Sequence, residues 1–205
     1  MGDGSKGILI GIEGIDAVGK RTQTLILGSW LHSKGYSTRI ISFPDYGTPL
    51  GREIKRFLLG AKDYPPEVRH MLFAANRWEK KQELKSILVG TDVVLINRYS
   101  ESNLAYGIAN GLKLEWLVNL EAGLPKPDIV IVLDAPPAAL DSRRGPNKDE
   151  YERNTALQER TREAYLRLAS DFGWKVVEAT GGIEATSQAL IRAVSDSLKD
   201  AGRTI

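Results

Sequence analysis

The chain of 205 residues has no cysteine and only two histidines, His32 and His70. The first absence excludes disulfides and thiolate metal sites. Two well-separated histidines cannot build a His-based zinc centre, so any metal here is held by oxygen. A dominant charge is missing too: 28 Lys and Arg are interspersed with 26 Asp and Glu, leaving a formal +2 with no basic run. That balance argues against a nucleic-acid partner. Long apolar runs are also absent. "GILIGIEGI" is broken by Glu13 and followed by Asp16, too short and too charged for a membrane span or a signal peptide. "MGDGSK" carries Lys6 where N-myristoylation needs Ser or Thr. The expectation is a cytoplasmic protein without a membrane anchor. With no repeat or low-complexity tract, it is one domain over residues 1–205, large enough to bury roughly 70% of the surface of its unfolded chain.

What is present is an alternation. Five aliphatic or β-branched runs, "ILIGIE", "TRIISF", "DVVLIN", "DIVIVLD" and "WKVVEA", read as buried strands, and each but the last leads into a turn and a helical stretch. Helical spacing of apolar residues marks "TQTLILGSWLHSKG", "PEVRHMLFAANRWEKKQELKSIL", "KLEWLVNLEAGL", "ERNTALQERTREAYLRLASDFG" and "EATSQALIRAVSDSL". Strands alternating with helices predict an α/β fold, a five-stranded parallel sheet with helices on both faces. Ligands in such sheets collect beyond the carboxyl ends of the strands. One rim then holds the first βα turn, the segment Pro44–Gly51, "NRYS" and the segment after Asp134.

The first turn is the most specific. Gly14 to Lys20 satisfies G-x-x-x-x-G-K between a strand and a helix, the context in which this motif cradles nucleotide phosphates. Gly14, Ile15, Asp16, Ala17, Val18, Gly19, Lys20, Arg21 and Thr22 are therefore the candidate ATP-binding residues, with backbone N–H groups forming an anion nest and Lys20 a point charge. Arg21 stands where a Ser or Thr normally helps hold magnesium, and Thr22 lies about 100° further round the helix. Mg²⁺ would then rely on phosphate oxygens, waters and the rim carboxylates Asp16 and Asp134. Arg21 itself is either added charge beside the phosphates or a solvated helix residue.

Three further segments carry chemistry. Phe73, Arg77 and Lys80 fall on neighbouring helical turns, which suits either a stacked planar base with an arginine donor or ordinary core and ion-pair packing. "NRYSESNLAYG" offers Arg98 for a second phosphate, and Asn103 and Tyr106 to line sugar and base, or a capped helix start with packed tyrosines. "DSRRGPNKDEYERN" carries Arg143, Arg144, Lys148 and Arg153, and reads as a basic flap that closes over polyphosphate or as a solvated connector.

Six segments in order, "EGIDAVGKRTQ", "FPDYGTPLG", "LFAANRWE", "NRYSESNLAYG", "GLPKPDIVIVLD" and "YERNTALQERTREAY", resemble the thymidylate kinases over nearly the whole chain. The resemblance implies a P-loop NTPase fold with a short lid near residues 143–153, transfer of the γ-phosphoryl of ATP to dTMP with Mg²⁺, and a homodimer. It also implies roles. Lys20 and the loop would bind ATP, and Asp16 would meet the sugar hydroxyl or, through water, the metal shell. Phe73 would stack on thymine, Arg77 would bind its carbonyl, and Arg98 would hold the acceptor phosphate. Tyr106 would crowd a 2′-hydroxyl; Tyr46, Asn103, Tyr151 and Glu152 complete the substrate set. Three departures stand out: Arg21, Ala17 where some members carry a catalytic arginine, and Asn97 where the family has Asp before Arg-Tyr. The second shifts the expected catalytic charge to Arg143, Arg144 or Lys148. The third keeps the shape of a carboxylate and loses its charge.

Overall fold

The computed structural model describes residues 7–143 and 150–200, apart from the side chains of Glu150 and Glu152. The five expected strands are β1 (Ile8–Glu13), β2 (Thr38–Ser42), β3 (Val93–Asn97), β4 (Ile129–Asp134) and β5 (Lys175–Glu178). They form one all-parallel sheet in the order β2-β3-β1-β4-β5. β1 is central and wholly buried, in register with both neighbours: Ile10 faces Leu95 on one side and Ile129 on the other. A strand with two paired edges and two covered faces has no place for polar alternation, which is why these runs are continuously aliphatic. Successive side chains of β1 serve opposite faces. Ile8, Ile10 and Ile12 join the larger core, while Leu9 packs with Val94 and Ile96 in a second one.

Helices cover the sheet. α1 (Lys20–Ser33) and α9 (Ile183–Asp200) pack on each other and on the strands, supplying Leu27, Leu31, Leu190 and Val194 to the larger core. α9 is the helix expected from "EATSQALIRAVSDSL", so β5, like the other strands, leads into a helix. α5 (Ser100–Ala109) and α8 (Thr155–Phe172) pair beside β1 and β4, with α6 (Leu114–Glu121) against α5.

Two helices expected to be continuous are broken. The run from Pro66 divides at Lys80 into α3 (Pro66–Glu79) and α4 (Lys81–Val89). α3 packs on α5 and α6, whereas α4 packs on β3 and puts Leu84 and Leu88 into the second core. A straight helix of that length cannot serve both, and Lys80 at the corner bridges Asp45 and Glu83. The run from Glu152 divides at Asn154, whose Oδ1 caps α8 by accepting from Leu157 N at 2.9 Å, leaving the short α7 (Glu150–Arg153) before it. A further helix was not anticipated. α2 (Pro49–Leu58) starts with Thr48 Oγ1 accepting from Gly51 N at 3.0 Å, has Pro49 in its first turn, and buries Ile54, Phe57 and Leu58.

Candidate functional site

The first βα turn is shaped by backbone geometry that its sequence permits. Gly14 has φ +134, and a Cβ there would lie 2.4 Å from the Leu133 carbonyl, so only glycine lets the loop leave the sheet at this point. Gly19 (φ +100) and Ala17 (φ +63) also lie in the left-handed region. The loop delivers Lys20 to the start of α1, where its Nζ donates to the Ile15 carbonyl at 2.7 Å across the loop. Around it lies a cavity of about 570 Å³ lined by Asp16 through Gln23. Its far wall comes from the turn before α9 (Gly181 and Gly182) and from the helix's first residues (Ile183 and Thr186), and was not foreseen. Gln23 ties the two together, donating to the Ile183 carbonyl at 3.0 Å and accepting from Ser187 Oγ at 2.8 Å. Arg143 lines this cavity too, its guanidinium held by the Ala179, Thr180 and Gly181 carbonyls.

A second cavity of about 510 Å³ opens between α3, α5 and the segment after β2. Phe73, Arg77, Asn103, Tyr106, Tyr151 and the half-exposed Tyr46 all line it. Tyr106 and Tyr151 stack with ring centres 5.4 Å apart and planes 10° from parallel. Arg77 is buried on Glu121, to which both Nε and Nη2 donate. That fork fixes the plane of the guanidinium and leaves its remaining N–H groups as donors. Asn103 is fully engaged, with Nδ2 donating to Glu121 Oε1 at 2.7 Å and Oδ1 bonded to His70 Nδ1 at 2.7 Å.

The two cavities meet at Asp16, Arg21, Asn97 and Arg98, which line both. Arg98 sits just beyond β3 with φ +62, a strained conformation held by its own N–H donating to the Ile12 carbonyl at 3.1 Å. Buried Glu13 reinforces the turn by accepting from Tyr99 N at 2.7 Å, Ser102 Oγ at 2.6 Å and Tyr165 Oη at 2.8 Å. So placed, Arg98 Nη2 donates to Asp16 Oδ1. Asp16 Oδ2 accepts from Tyr106 Oη at 2.8 Å and Gln158 Nε2 at 3.0 Å. Burial pushes the Asp16 carboxyl up, but the Arg98 and Lys20 charges and these two donors outweigh it and bring it down to about 2. Burial, together with Asp16, holds the Tyr106 hydroxyl well above its ordinary range despite the Arg98 cation, so it stays a donor. Arg21 is exposed and has no hydrogen-bond or ion-pair partner among the described residues. Asn97 Oδ1 is buried and unpartnered among them.

Other expected participants are elsewhere. Asp134, proposed from the sequence as a second rim carboxylate, is held by Arg162 through bonds of 2.7 and 2.9 Å and lines neither cavity. Lys80 belongs to the α3–α4 corner, not to the face of Phe73 and Arg77. Arg144, Lys148 and the Glu152 side chain lie outside the described residues. No group of three or more His, Asp or Glu that could hold a metal occurs among the described residues. Sequence reasoning missed Gln158, Glu121, His70 and Glu13; buried polar residues on otherwise apolar helix faces were the only signal for the first three.

The sequence profile described as Thymidylate kinase matches residues 12–190. The chain is 34% identical over 195 residues to the thymidylate kinase of Arabidopsis thaliana, covering 95% of this chain and 73% of that protein. It is 32% identical over 199 residues to that of Homo sapiens, covering 96% and 93%. It is 36% identical over 204 residues to the probable thymidylate kinase of Thermococcus kodakarensis, covering 93% and 98%. Among solved structures, the thymidylate kinase of Candida albicans superimposes with a TM-score of 0.79 at 28% identity, covering 96% of this chain and 93% of that one.

Proposed function

The chain belongs to the thymidylate kinase family and phosphorylates dTMP to dTDP with ATP, and from that membership we propose how its residues divide the work. One observation carries the assignment: the anion-binding loop cavity and the aromatic cavity share Asp16, Arg21, Asn97 and Arg98 as a common wall. A donor phosphate in the first and an acceptor phosphate in the second would face each other across that wall, as in-line transfer requires.

ATP is assigned to the loop cavity, its phosphates on the Gly14–Thr22 backbone and Lys20, with Arg21 and Arg143 adding charge at the edge. The lid, near residues 143–153 of a single thymidylate kinase domain, contributes Arg144 and Lys148 to the same task. dTMP is assigned to the aromatic cavity, with Phe73 under the base and Arg77 donating to a base carbonyl. Asn103 and Tyr46 border the base, Tyr106 and Tyr151 wall the sugar, Glu152 is assigned to the phosphates by the family resemblance alone, and Arg98 holds the acceptor phosphate. Asp16 holds Arg98 at that post. An acceptor phosphate oxygen attacks the γ-phosphorus as the bond to the β–γ bridging oxygen breaks, leaving ADP and dTDP. The acceptor is already an anion at neutral pH, so no side chain need remove its proton.

The donor set fits Mg²⁺ carried in by the nucleotide. Asp16 is committed to Arg98, Tyr106 and Gln158, while the unpartnered Asn97 Oδ1 offers one oxygen at the shared wall to the ion or to its water. The chemistry Mg²⁺ supplies when bound is neutralisation of charge on the phosphate oxygens. The same reading gives a homodimer in the cytoplasm; no described helix is long and apolar enough to cross a membrane.

ADP release coupled to a reporter reaction, run with dTMP, dUMP, dCMP, UMP and CMP, tests the assignment. The expected order puts dTMP first. A preference for UMP or CMP overturns the specificity, and tight binding of both nucleotides without turnover favours a regulatory nucleotide-binding protein.

A further inference from the structure

A chain of hydrogen bonds runs beneath the aromatic cavity through a residue the phosphoryl transfer does not use. His70, on α3, is fully buried and also lines that cavity. Asn103 Nδ2 spends its two hydrogens on Glu121 Oε1 at 2.7 Å and the His70 carbonyl at 3.2 Å, both acceptors. Its Oδ1 must therefore face His70 Nδ1, 2.7 Å away. An amide oxygen only accepts, so Nδ1 carries the proton. At the other ring nitrogen, Asn110 Nδ2 donates to the Tyr106 carbonyl at 2.9 Å and lies 3.2 Å from Nε2. Turning the Asn110 amide over would set its oxygen against the Tyr106 carbonyl, so Nε2 is the acceptor. The imidazole is thus specified from both sides as the neutral Nδ1–H tautomer. Burial pushes it in the same direction, down to about 4, with the Arg77 and Arg69 charges adding to that and the Asn103 bond opposing it.

We infer that His70 is a positioning residue for base selection: as a neutral Nδ1–H imidazole it holds the Asn103 amide oxygen in place and, through Asn103 and Glu121, the Arg77 donor edge that meets the base. The inference rests on the dTMP assignment above. Without the His70 donor, Asn103 Oδ1 is left buried and without a partner, while Nδ2 still points at Glu121 and the His70 carbonyl. The Asn103 side chain shifts to regain a partner and draws on its bond to Glu121, so the Arg77 fork loosens and the cavity loses its preference for a carbonyl over an amino group at the base edge. Glutamine keeps one donor and one acceptor at a similar separation; leucine keeps neither.

The test compares His70→Leu and His70→Gln. In His70→Leu, KM for dTMP rises about tenfold, the effect of one net hydrogen bond, and the dTMP-over-dCMP preference falls by a similar factor. kcat and KM for ATP stay within about twofold, and His70→Gln recovers most of the loss. A folded His70→Leu with unchanged KM for dTMP and unchanged preference overturns the inference, as does a His70→Gln indistinguishable from it. Should His70→Leu not fold, the imidazole ¹⁵N shifts of the wild-type protein decide at neutral pH: protonated Nδ1 with bare Nε2 upholds the chain, and any other state refutes it. The spectrum needs no substrate. A wild-type protein that fails to turn over dTMP therefore indicts the function while leaving the His70 chain to its own measurement.

Discussion

Replacing Asp16 by asparagine separates charge from shape at the shared wall. Every side-chain partner of the carboxylate is a donor: Arg98 at Oδ1, Tyr106 and Gln158 at Oδ2. An amide offers one oxygen and one NH₂, so one side must meet a donor with a donor. Turning NH₂ toward Arg98 sets it against a cation. Turning it the other way opposes Gln158 Nε2, and the Gln158 amide cannot flip to accommodate because its Oε1 accepts from Asp16 N at 3.1 Å. The loss of one charge-assisted bond plus the mismatched donor comes to about 3 kcal/mol. That is on the order of a hundredfold in kcat/KM for dTMP at saturating ATP. Coupled ADP release measures it, with KM for ATP as the internal control, expected to move far less. The pH dependence adds a sign. A carboxyl lowered from 3.8 to about 2 contributes stability that is present above its unfolded value and lost as pH falls through 2. Between pH 6 and 8 Asp16 therefore stays ionised, and the penalty of the asparagine variant is constant. A loss under fivefold, or one that grows across that window, refutes the account.

Asn97→Asp supplies the missing charge where an oxygen stands buried and unpartnered; about a threefold to tenfold faster turnover at low Mg²⁺ and tighter Mg·ADP binding by calorimetry are expected, and a slower variant means the wall is built for the amide. Arg21→Ser removes an exposed cation without a partner among the described residues, so KM for ATP rises about fivefold while the melting temperature is unchanged; unaltered kinetics would take Arg21 out of the site. Glu101 is buried, and that burial, then Glu13, pushes its carboxyl up to about 8. A raised acid group contributes stability that is complete below its unfolded 4.5 and lost as pH rises through 8, so Glu101→Gln raises the melting temperature by about 3 °C at pH 8 and by less at pH 5; a larger gain at the lower pH contradicts the assignment.

The features legible in the sequence are those whose cause is local. Aliphatic runs such as "VVLIN" announce buried strands because both sheet faces are covered, and the loop of Gly14 to Lys20 is legible because its backbone demands glycine at fixed spacing. The breaks at Lys80 and Asn154 were invisible because apolar periodicity continues through both; what divides the helices is the distant surface each half must cover. α2 was hidden behind Pro49 and Gly51, residues that read as a turn. Gly51 is needed there because a Cβ would fall 1.8 Å from the Asp45 carbonyl. The Asp16–Gln158 pair and the wall at Gly181 to Thr186 join segments more than 140 positions apart, and no local pattern encodes such a meeting. Asp134 misled because its place at a strand tip is right for a ligand, and only the arginine across from it shows otherwise.

The shared wall also explains where the backbone is strained. Ala17 and Arg98 are the non-glycine residues with positive φ among the described residues; Arg98 stands at the junction of the two cavities, and Ala17 follows Asp16 into the loop cavity. Such a conformation costs on the order of 1–3 kcal/mol and persists only where its surroundings over-determine it. At Arg98 that surrounding is explicit. The central strand supplies the Ile12 carbonyl to its N–H, and the next residue of that strand, Glu13, grips Tyr99 N, Ser102 and Tyr165. A relaxed turn would carry the guanidinium away from Asp16. Burying a carboxylate at the tip of the central strand is costly in a hydrophobic core, but three donors satisfy it. In return the turn that bears Arg98 is anchored to the strand that leads into the phosphate loop. The loop cavity and the aromatic cavity are thereby referenced to one rigid element, the central strand.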